Sequence, residues 1–479
     1  METLFVTESL AYLVPVFRTD RELLRHCGLR FGEVRACKRP PGRIGPSDFL
    51  LWEGEARGLP RLPKDATGRI RSRKGGGFGL VHGRTDGDLR LLLSRWEEIE
   101  AAGDDLLFTG SVSERERGTE ELRWVMHRLV QAHSFSCLRK VDWERLERGA
   151  RRRIDCARNA QEHFRAWEWL FAQLRDGHTK LVAIEGPDPC SRVHCGVYGR
   201  FVDRHRFRVE RVCAGSAGEE AGIAPGDEVL GVNGRDWPAY LRQETACWAF
   251  STAHMRRACL RFVPWHQPVG TRLELELRGG RRTLTFGEES YPGFFHWTCE
   301  GRPEPVAFTW LGPGRYRLRI AYFAGDDEFV AFCRAALLQM PRGAELELDL
   351  RGNAGGNRIA RLKVAGMFLA RGTPLARRRL RRVGGSFTPW VIHRNPDRPV
   401  YNGPLTVLMD ELCASSTETV LGALKAAGRA RLVGRRSAGS SGNPRLFLSP
   451  GGARFTCSSW EETTPSGEPI EGHGISPRE

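Results

Sequence analysis

The stretch Pro404-Leu405-Thr406-Val407-Leu408-Met409-Asp410-Glu411-Leu412-Cys413-Ala414-Ser415-Ser416-Thr417-Glu418-Thr419-Val420 decides how this chain is read. Its first six residues form an apolar run of strand length. A turn of small and polar residues follows, and Val420, Leu421, Ala423 and Leu424 then recur at helical spacing. A serine on a strand-to-helix turn is exposed, lies beside helix N-terminal amides, and can aim its hydroxyl at a carbonyl. Ser415, Ser416 and Thr417 are also ordinary helix caps. The window alone therefore leaves cap and nucleophile both open.

On either side of this stretch the chain alternates strands and helices. Arg315 to Ile320 reads as a strand, Glu328 to Met340 as an amphipathic helix, and Leu346 to Leu350 as a second strand. Arg351-Gly352-Asn353-Ala354-Gly355-Gly356-Asn357 then turns into a helix reaching Phe368, and Arg431-Leu432-Val433 closes the series as a strand. Such alternation predicts an α/β core with largely parallel pairing over 291–479. The glycines after Asp349 let backbone approach a substrate and point amides at it. A phosphate loop would need a lysine followed by Ser or Thr, which this turn lacks.

Upstream the character changes twice. Leu122, Val125, Met126 and Leu129, then Phe164, Trp167, Leu170, Phe171 and Leu174, keep helical spacing and define a helical region over 116–190. Asp142 is its internal N-cap candidate, and Gly177 in Asp176-Gly177-His178-Thr179 its C-cap candidate. Over 191–290, short β-like runs alternate with Gly-rich turns, among them Ala221-Gly222-Ile223-Ala224-Pro225-Gly226-Asp227 and Asn233-Gly234. This block resembles a PDZ domain. The resemblance implies peptide capture by strand addition, with Tyr198-Gly199-Arg200-Phe201 as the carboxylate-cradling loop. Residues 1–115 carry apolar pieces between Gly/Pro/Arg loops and no assignable motif.

The chain has 479 residues, enough for about two to four domains, and its composition is globular. A formal charge of +16 is spread along the chain as arginine. No zinc-finger, RNA-recognition or basic-zipper pattern accompanies it, so no nucleic-acid partner is expected. Thirteen scattered cysteines without a CxxC pair read as reduced, mostly buried thiols and provide no metal site. No signal peptide or membrane span is apparent, which predicts a cytoplasmic protein.

The order of motifs is more specific than any one of them. Asp-Gly-His-Thr, the PDZ-like block, Asp349-Leu350-Arg351-Gly352-Asn353-Ala354-Gly355-Gly356, the serine turn, and Gly467-Glu468-Pro469-Ile470-Glu471-Gly472-His473-Gly474-Ile475-Ser476-Pro477 follow one another. In that order they resemble the carboxyl-terminal-processing (tail-specific) serine peptidases over about 120–479. The resemblance implies a crotonase/ClpP-like α/β core with an N-terminal helical region and an inserted PDZ-like β domain. It implies a serine endopeptidase acting on flexible or unfolded polypeptides, with no metal or organic cofactor. Ser415 falls at the nucleophile, with Ser416 as its rival, and the Gly355 and Ser416 amides form the oxyanion hole. Glu418 is read as a helix cap or amide acceptor.

One departure is decisive. The tail-specific branch carries a lysine base where this chain has Ser440, leaving Ser440 as a possible supporting group. The tricorn-like branch uses histidine instead, which places His178 as general base and Glu471 as its orienting acid, with His473 as a rival. Two other readings stay open: a catalytically decayed, PDZ-type peptide-binding protein, and a crotonase-like enzyme acting on acyl thioesters. The sequence leaves the oligomeric state open.

Overall fold

The computed structural model describes residues 114–183, 192–289, 304–382, 385–449 and 453–477, together with six short strands earlier in the chain. Those strands are β1 (Thr3–Thr7), β2 (Glu33–Cys37), β3 (Phe49–Glu53), β4 (Ala66–Arg71), β5 (Gly79–Gly83) and β6 (Asp105–Thr109). They form one mixed sheet, ordered β2-β1-β3-β5-β4-β6. Each has only five or six residues, too few for periodicity to separate strand from loop.

The helical region follows as α1 (Glu114–Ala132), α2 (Ser136–Arg139), α3 (Trp143–Asp155) and α4 (Ala160–Ala172). Asp142 caps α3 by accepting from the Arg145 amide at 2.9 Å, and Asn159 caps α4 in the same way through Glu162. The expected glycine C-cap is corrected. Helix α4 ends at Ala172, and Arg175 rather than Gly177 takes the left-handed conformation, at φ 52. Burial of Leu174 and Asp176 draws the chain inward before Gly177 is reached.

After β7 (Lys180–Ala183) comes the inserted block. It comprises β8 (Arg192–His194), β9 (Val197–Asp203), β10 (Arg206–Val212), α5 (Ala217–Glu220), β11 (Glu228–Val232), β12 (Arg235–Asp236), α6 (Trp237–Glu244), α7 (Ala253–Cys259), β13 (His266–Pro268), β14 (Arg272–Leu277) and β15 (Gly280–Thr285). An antiparallel sheet, ordered β15-β14-β11-β10-β9, wraps a core that includes Phe207, Trp237 and Trp265. Tyr198, Gly199, Arg200 and Phe201 are not a loop, as expected from sequence. They lie inside β9, paired with β10 through Arg211, Val209, Arg208 and Phe207. Tyr198 is buried and stacks on His194, and a side chain on Gly199 would strike the Arg208 carbonyl. Cys213 departs from the all-thiol expectation, being disulfide-bonded, whereas eight other described cysteines are free.

The C-terminal α/β part contains β16 (Val306–Gly312), β17 (Arg315–Ile320), α8 (Asp327–Leu338), β18 (Glu345–Asp349), α9 (Arg358–Gly366), β19 (Pro374–Leu380) and β20 (Val391–Arg394). It continues with β21 (Leu405–Met409), α10 (Ser416–Ala426), β22 (Arg431–Gly434), β23 (Pro444–Leu448), β24 (Arg454–Ser458) and β25 (Trp460–Thr463). The central sheet runs β16-β17-β18-β21-β22, parallel throughout except for β16. Leu346, Leu348, Leu405, Val407 and Met409 turn into the core, which α8, α9 and α10 help cover. Parallel strands need such crossover helices, and burial makes their sequences read as apolar runs.

Two features place the site. Strands β18 and β21 are neighbours, so the turns leaving their C-terminal ends lie side by side. Strand β7 pairs antiparallel with β24, Lys180 opposite Thr456 and Leu181 opposite Phe455. Phe447, Phe455 and Cys457 share a core with Leu129, Trp167 and Phe171 of the helical region. That packing brings Asp176–Thr179 against the loop that follows β22. Among the described residues no helix is long and apolar enough to cross a membrane.

Candidate active site

Ser415 stands between β21 and α10 in a strained backbone, φ 56 and ψ −119. Non-glycine residues rarely occupy positive φ, and the surrounding structure must hold them there. Several bonds do so. The Ala414 amide donates to the Asn353 carbonyl at 3.0 Å, and the buried Cys413 thiol donates to the Leu350 carbonyl at 3.0 Å. The Ser415 amide donates to the Ser440 carbonyl at 2.8 Å and to the Glu418 carboxylate at 3.1 Å. Gly355, at φ 109, passes so close that a Cβ there would lie 2.8 Å from the Ser415 Cβ. Ser416 differs from Ser415 in being 2 % exposed, with its hydroxyl donating to the Gly356 carbonyl at 2.8 Å.

The glycine turn after β18 departs from expectation in one detail. The Gly355 amide donates to the side-chain oxygen of Asn353 at 2.8 Å, so it is already engaged. Asn353 is fully buried and anchored by its own amide group to the Ile320 carbonyl. Among the described residues the Gly356 and Ser416 amides have no such acceptor, and the Ser416 hydroxyl ties the two segments together.

Glu418 is the brace beneath both serine loops. Its buried carboxylate accepts from the amides of Ser415, Gly439 and Ser440 and from the Ser437 hydroxyl, at 2.7–3.1 Å. Burial pushes this carboxyl up to about 8, against the pull of those four donors. The sequence reading of Glu418 as an amide acceptor captured one of these bonds. The other three come from residues about twenty positions away.

His178 is half-buried, and its Nδ1 lies 3.2 Å from the Ser440 hydroxyl. A side chain at Gly177 would meet that same hydroxyl at 2.7 Å, so the approach requires glycine. No hydrogen bond joins His178 to Ser415 among the described residues, but the Ser440 residue touches both. Desolvation lowers the His178 pKa, the Asp176 carboxylate opposes that shift, and Lys180 adds to it. The imidazole is therefore neutral near pH 7.

Beneath His178 lies a polar network that sequence reading missed. Asp176 accepts from the His178 amide at 2.9 Å, from the Thr179 hydroxyl at 2.6 Å and from His133 Nε2 at 3.1 Å. Burial penalises the Asp176 charge, yet the His133 hydrogen bond holds its carboxyl below the usual range. Thr179 in turn accepts from the Ser458 amide, and the Thr456 hydroxyl donates to the His178 carbonyl. Asp176 sat within the quoted Asp-Gly-His-Thr motif and was its available signal. His133 gave none beyond a polar residue after an amphipathic helix.

Among the described residues no hydrogen bond joins Glu471 to His178. Its carboxylate accepts from the Ser441 amide at 2.8 Å and from the Arg139 guanidinium. Burial raises its pKa well above the carboxylate range, Asp176 adds to this, and Arg139 opposes it. Through the Ser441 amide it fixes the segment next to Ser440. The rival His473 bonds the Glu471 carbonyl through Nδ1. Lys425 lies in α10 and donates to the Ser476 carbonyl.

A serine at a strained turn, free amides beside it and a neutral imidazole one residue away form the equipment of acyl transfer. The model of Peptidase family S41 matches residues 318–479, the segment that carries Ser415, Ser440 and the glycine turn after β18. That segment is a Peptidase family S41 domain, and the chain is a serine-type peptidase. It is 26% identical over 338 residues to a carboxyl-terminal-processing protease of Synechocystis sp., covering 67% of this chain and 71% of that one. A protease of the same description from Picosynechococcus sp. is 32% identical over 162 residues, 34% of this chain and 38% of that one. The crystal structure of mature CPAF shares the fold at 14% identity and a TM-score of 0.59, covering 75% of this chain and 91% of that one.

Proposed function

We propose that this chain is a serine endopeptidase that cleaves flexible or unfolded polypeptides through an acyl-enzyme on Ser415, with His178 as general base. The observation that carries the reading is Ser440. Its carbonyl accepts the Ser415 amide and its hydroxyl meets His178 Nδ1, so one residue registers the serine turn against the histidine loop.

In this reading Nδ1 carries the proton and donates to the Ser440 hydroxyl, leaving the Nε2 lone pair as base. The Ser415 oxygen attacks the scissile carbonyl carbon, and its proton passes to Nε2. Nε2 then gives that proton to the leaving amine as the peptide C–N bond breaks. Water attacks the ester in the same way and releases the acid. The oxyanion is received by the Gly356 and Ser416 amides, because the Gly355 amide is committed to Asn353. A hydroxyl beside Nδ1 stabilises imidazolium less than a carboxylate, and the Asp176 charge supplies part of the difference. The antiparallel inserted block is read as PDZ-like, on a crotonase/ClpP-like core. Its edge strand β9 is then the place where a peptide strand adds.

Incubation of the purified protein with denatured casein tests this, with peptides followed by mass spectrometry. New termini are expected from the native protein and none from Ser415→Ala. Equal cleavage by both proteins would remove Ser415 from the mechanism. A non-catalytic peptide-binding protein is the second reading, favoured by the lack of a His178–Ser415 bond and by the engagement of Glu471 with Arg139. Peptide binding with no cleavage of any unfolded protein would support it.

A further inference from the structure

Between α3 and α4 lies a cleft of about 440 Å³, lined by Arg145, Arg148, Gly149, Arg152, Arg153 and Trp169. None of these residues takes part in the Ser415–His178 site. Arg148, Gly149 and Arg152 follow Arg145 at three, four and seven residues, so one face of α3 carries all four. Gly149 is buried, and a Cβ there would lie 2.7 Å from the Trp169 indole, so glycine lets the ring seat against α3. The Arg153 guanidinium lies 3.7 Å from the centroid of that ring and donates to the Gly149 carbonyl at 3.0 Å. One wall of the cleft is therefore fixed in place.

Helix stability does not account for these charges. Arg152 and Arg153 stand in the last turn of α3, where the helix dipole favours cations. Arg145 stands in the first turn, where the dipole disfavours them. Arg145 and Arg148, and Arg148 and Arg152, are like charges at spacings that bring them together and repel. Among the described residues the Glu144 carboxylate is the only one that pairs with any of the four arginines, meeting Arg148 at 3.4 Å. Asp142 accepts from the Arg145 backbone amide, and Glu147 pairs with Arg151, which does not line the cleft. Four guanidinium groups against one carboxylate leave an excess of three positive charges around the cleft.

We propose that this cleft is a binding site for linked phosphates, whose oxygens are shared among Arg145, Arg148 and Arg152, with Arg153 on Trp169 closing one side. Guanidinium forks match phosphate oxygens two at a time. A phosphate monoester carries about −1.5 to −2 near pH 7, so one phosphate or one carboxylate leaves the excess unmatched. Two or three linked phosphates match it and fit the volume. Two sources supply that chemistry: a free inorganic oligophosphate, or the phosphates of a nucleoside triphosphate. The site is independent of the reaction assigned to Ser415 and His178.

The test is isothermal titration calorimetry of the full-length protein at a fixed ionic strength of about 0.15 M, since screening sets the size of any charge effect. Tripolyphosphate and ATP are titrated separately, beside citrate, whose charge is carried by carboxylates. Saturable one-to-one binding of tripolyphosphate, about tenfold tighter than citrate, is expected. ATP binding as tightly or more tightly identifies a nucleotide as the source, and weaker ATP binding identifies the inorganic chain. Arg145→Gln and Arg152→Gln should each weaken tripolyphosphate binding by about tenfold. Both side chains are exposed, so the unfolding midpoints without ligand should stay close to that of the native protein. Arg334→Gln combined with Arg342→Gln removes two exposed charges in and just after α8, and should leave binding unchanged. No saturable binding of either phosphate compound, citrate binding as tightly as tripolyphosphate, or an equal loss in the Arg334/Arg342 variant overturns the proposal. Casein cleavage is not part of this readout, so failure of the phosphate site and failure of the catalytic reading are separate results.

Discussion

The serine turn and the histidine loop are built in opposite ways. Ser415 is positioned mainly by a strand, a turn and a helix contiguous in sequence, with the neighbouring β18 turn and the Ser440 loop pressed against it. His178 has no regular element of its own. It is held by Asp176 beside it and by His133, Ser251, Ser440, Thr456 and Ser458, gathered from across the chain. The first site is guided by its own strand and helix, with the strained φ of Ser415 held by bonds to Asn353 and Ser440. The second is an assembly, so it fails when any distant element shifts.

That contrast orders the expected effects of substitution. Ser415→Ala removes the attacking oxygen and should reduce casein cleavage to background while leaving the melting temperature nearly unchanged. Gly355→Val places a branched side chain at φ 109 and against the Ser415 Cβ. Thermal unfolding should show a loss of about 3 kcal/mol or more, and cleavage should vanish with it. Asp176→Asn leaves a buried His133 facing an amide. A loss of about 3 kcal/mol is expected for such a broken buried pair, along with a fall in cleavage rate at pH 7. Ser440→Ala removes only the hydroxyl at Nδ1, and about a tenfold fall in kcat with little change in KM is expected. If Ser440→Ala instead cost as much as Ser415→Ala, the two loops would be less separable than the comparison holds.

The smallest effect concerns pH. Desolvation lowers the His178 pKa, so the neutral base persists below the ordinary histidine value. The acid limb of kcat/KM should therefore fall at a midpoint below about 6.5. In Asp176→Asn the opposing charge is gone, and the midpoint should move lower still. A limb above 7 would mean that the imidazole is held charged by a carboxylate absent from this arrangement.

The same contrast explains what the sequence disclosed. The strands at 315–320 and 405–409 and the helix after Ser415 were legible because periodicity and small-residue turns are local signals. Asp142 was legible as a cap for the same reason. Glu471 was assigned to His178 by motif order alone, which cannot show that Arg139 and the Ser441 amide would claim it first. Choosing between the Gly355 and Gly356 amides requires knowing where Asn353 points. Tyr198–Phe201 was misplaced because a glycine between aromatic residues suits a loop or a tightly packed strand equally well.

The central claim is that His178 activates Ser415 across this assembled contact. The direct measurement is the rate of fluorophosphonate labelling at pH 7, with the modified residue mapped by mass spectrometry. The adduct should sit on Ser415, and His178→Ala should slow labelling by about 10²-fold or more. An adduct on Ser440, or an undiminished rate on Ser415 in His178→Ala, would contradict the account.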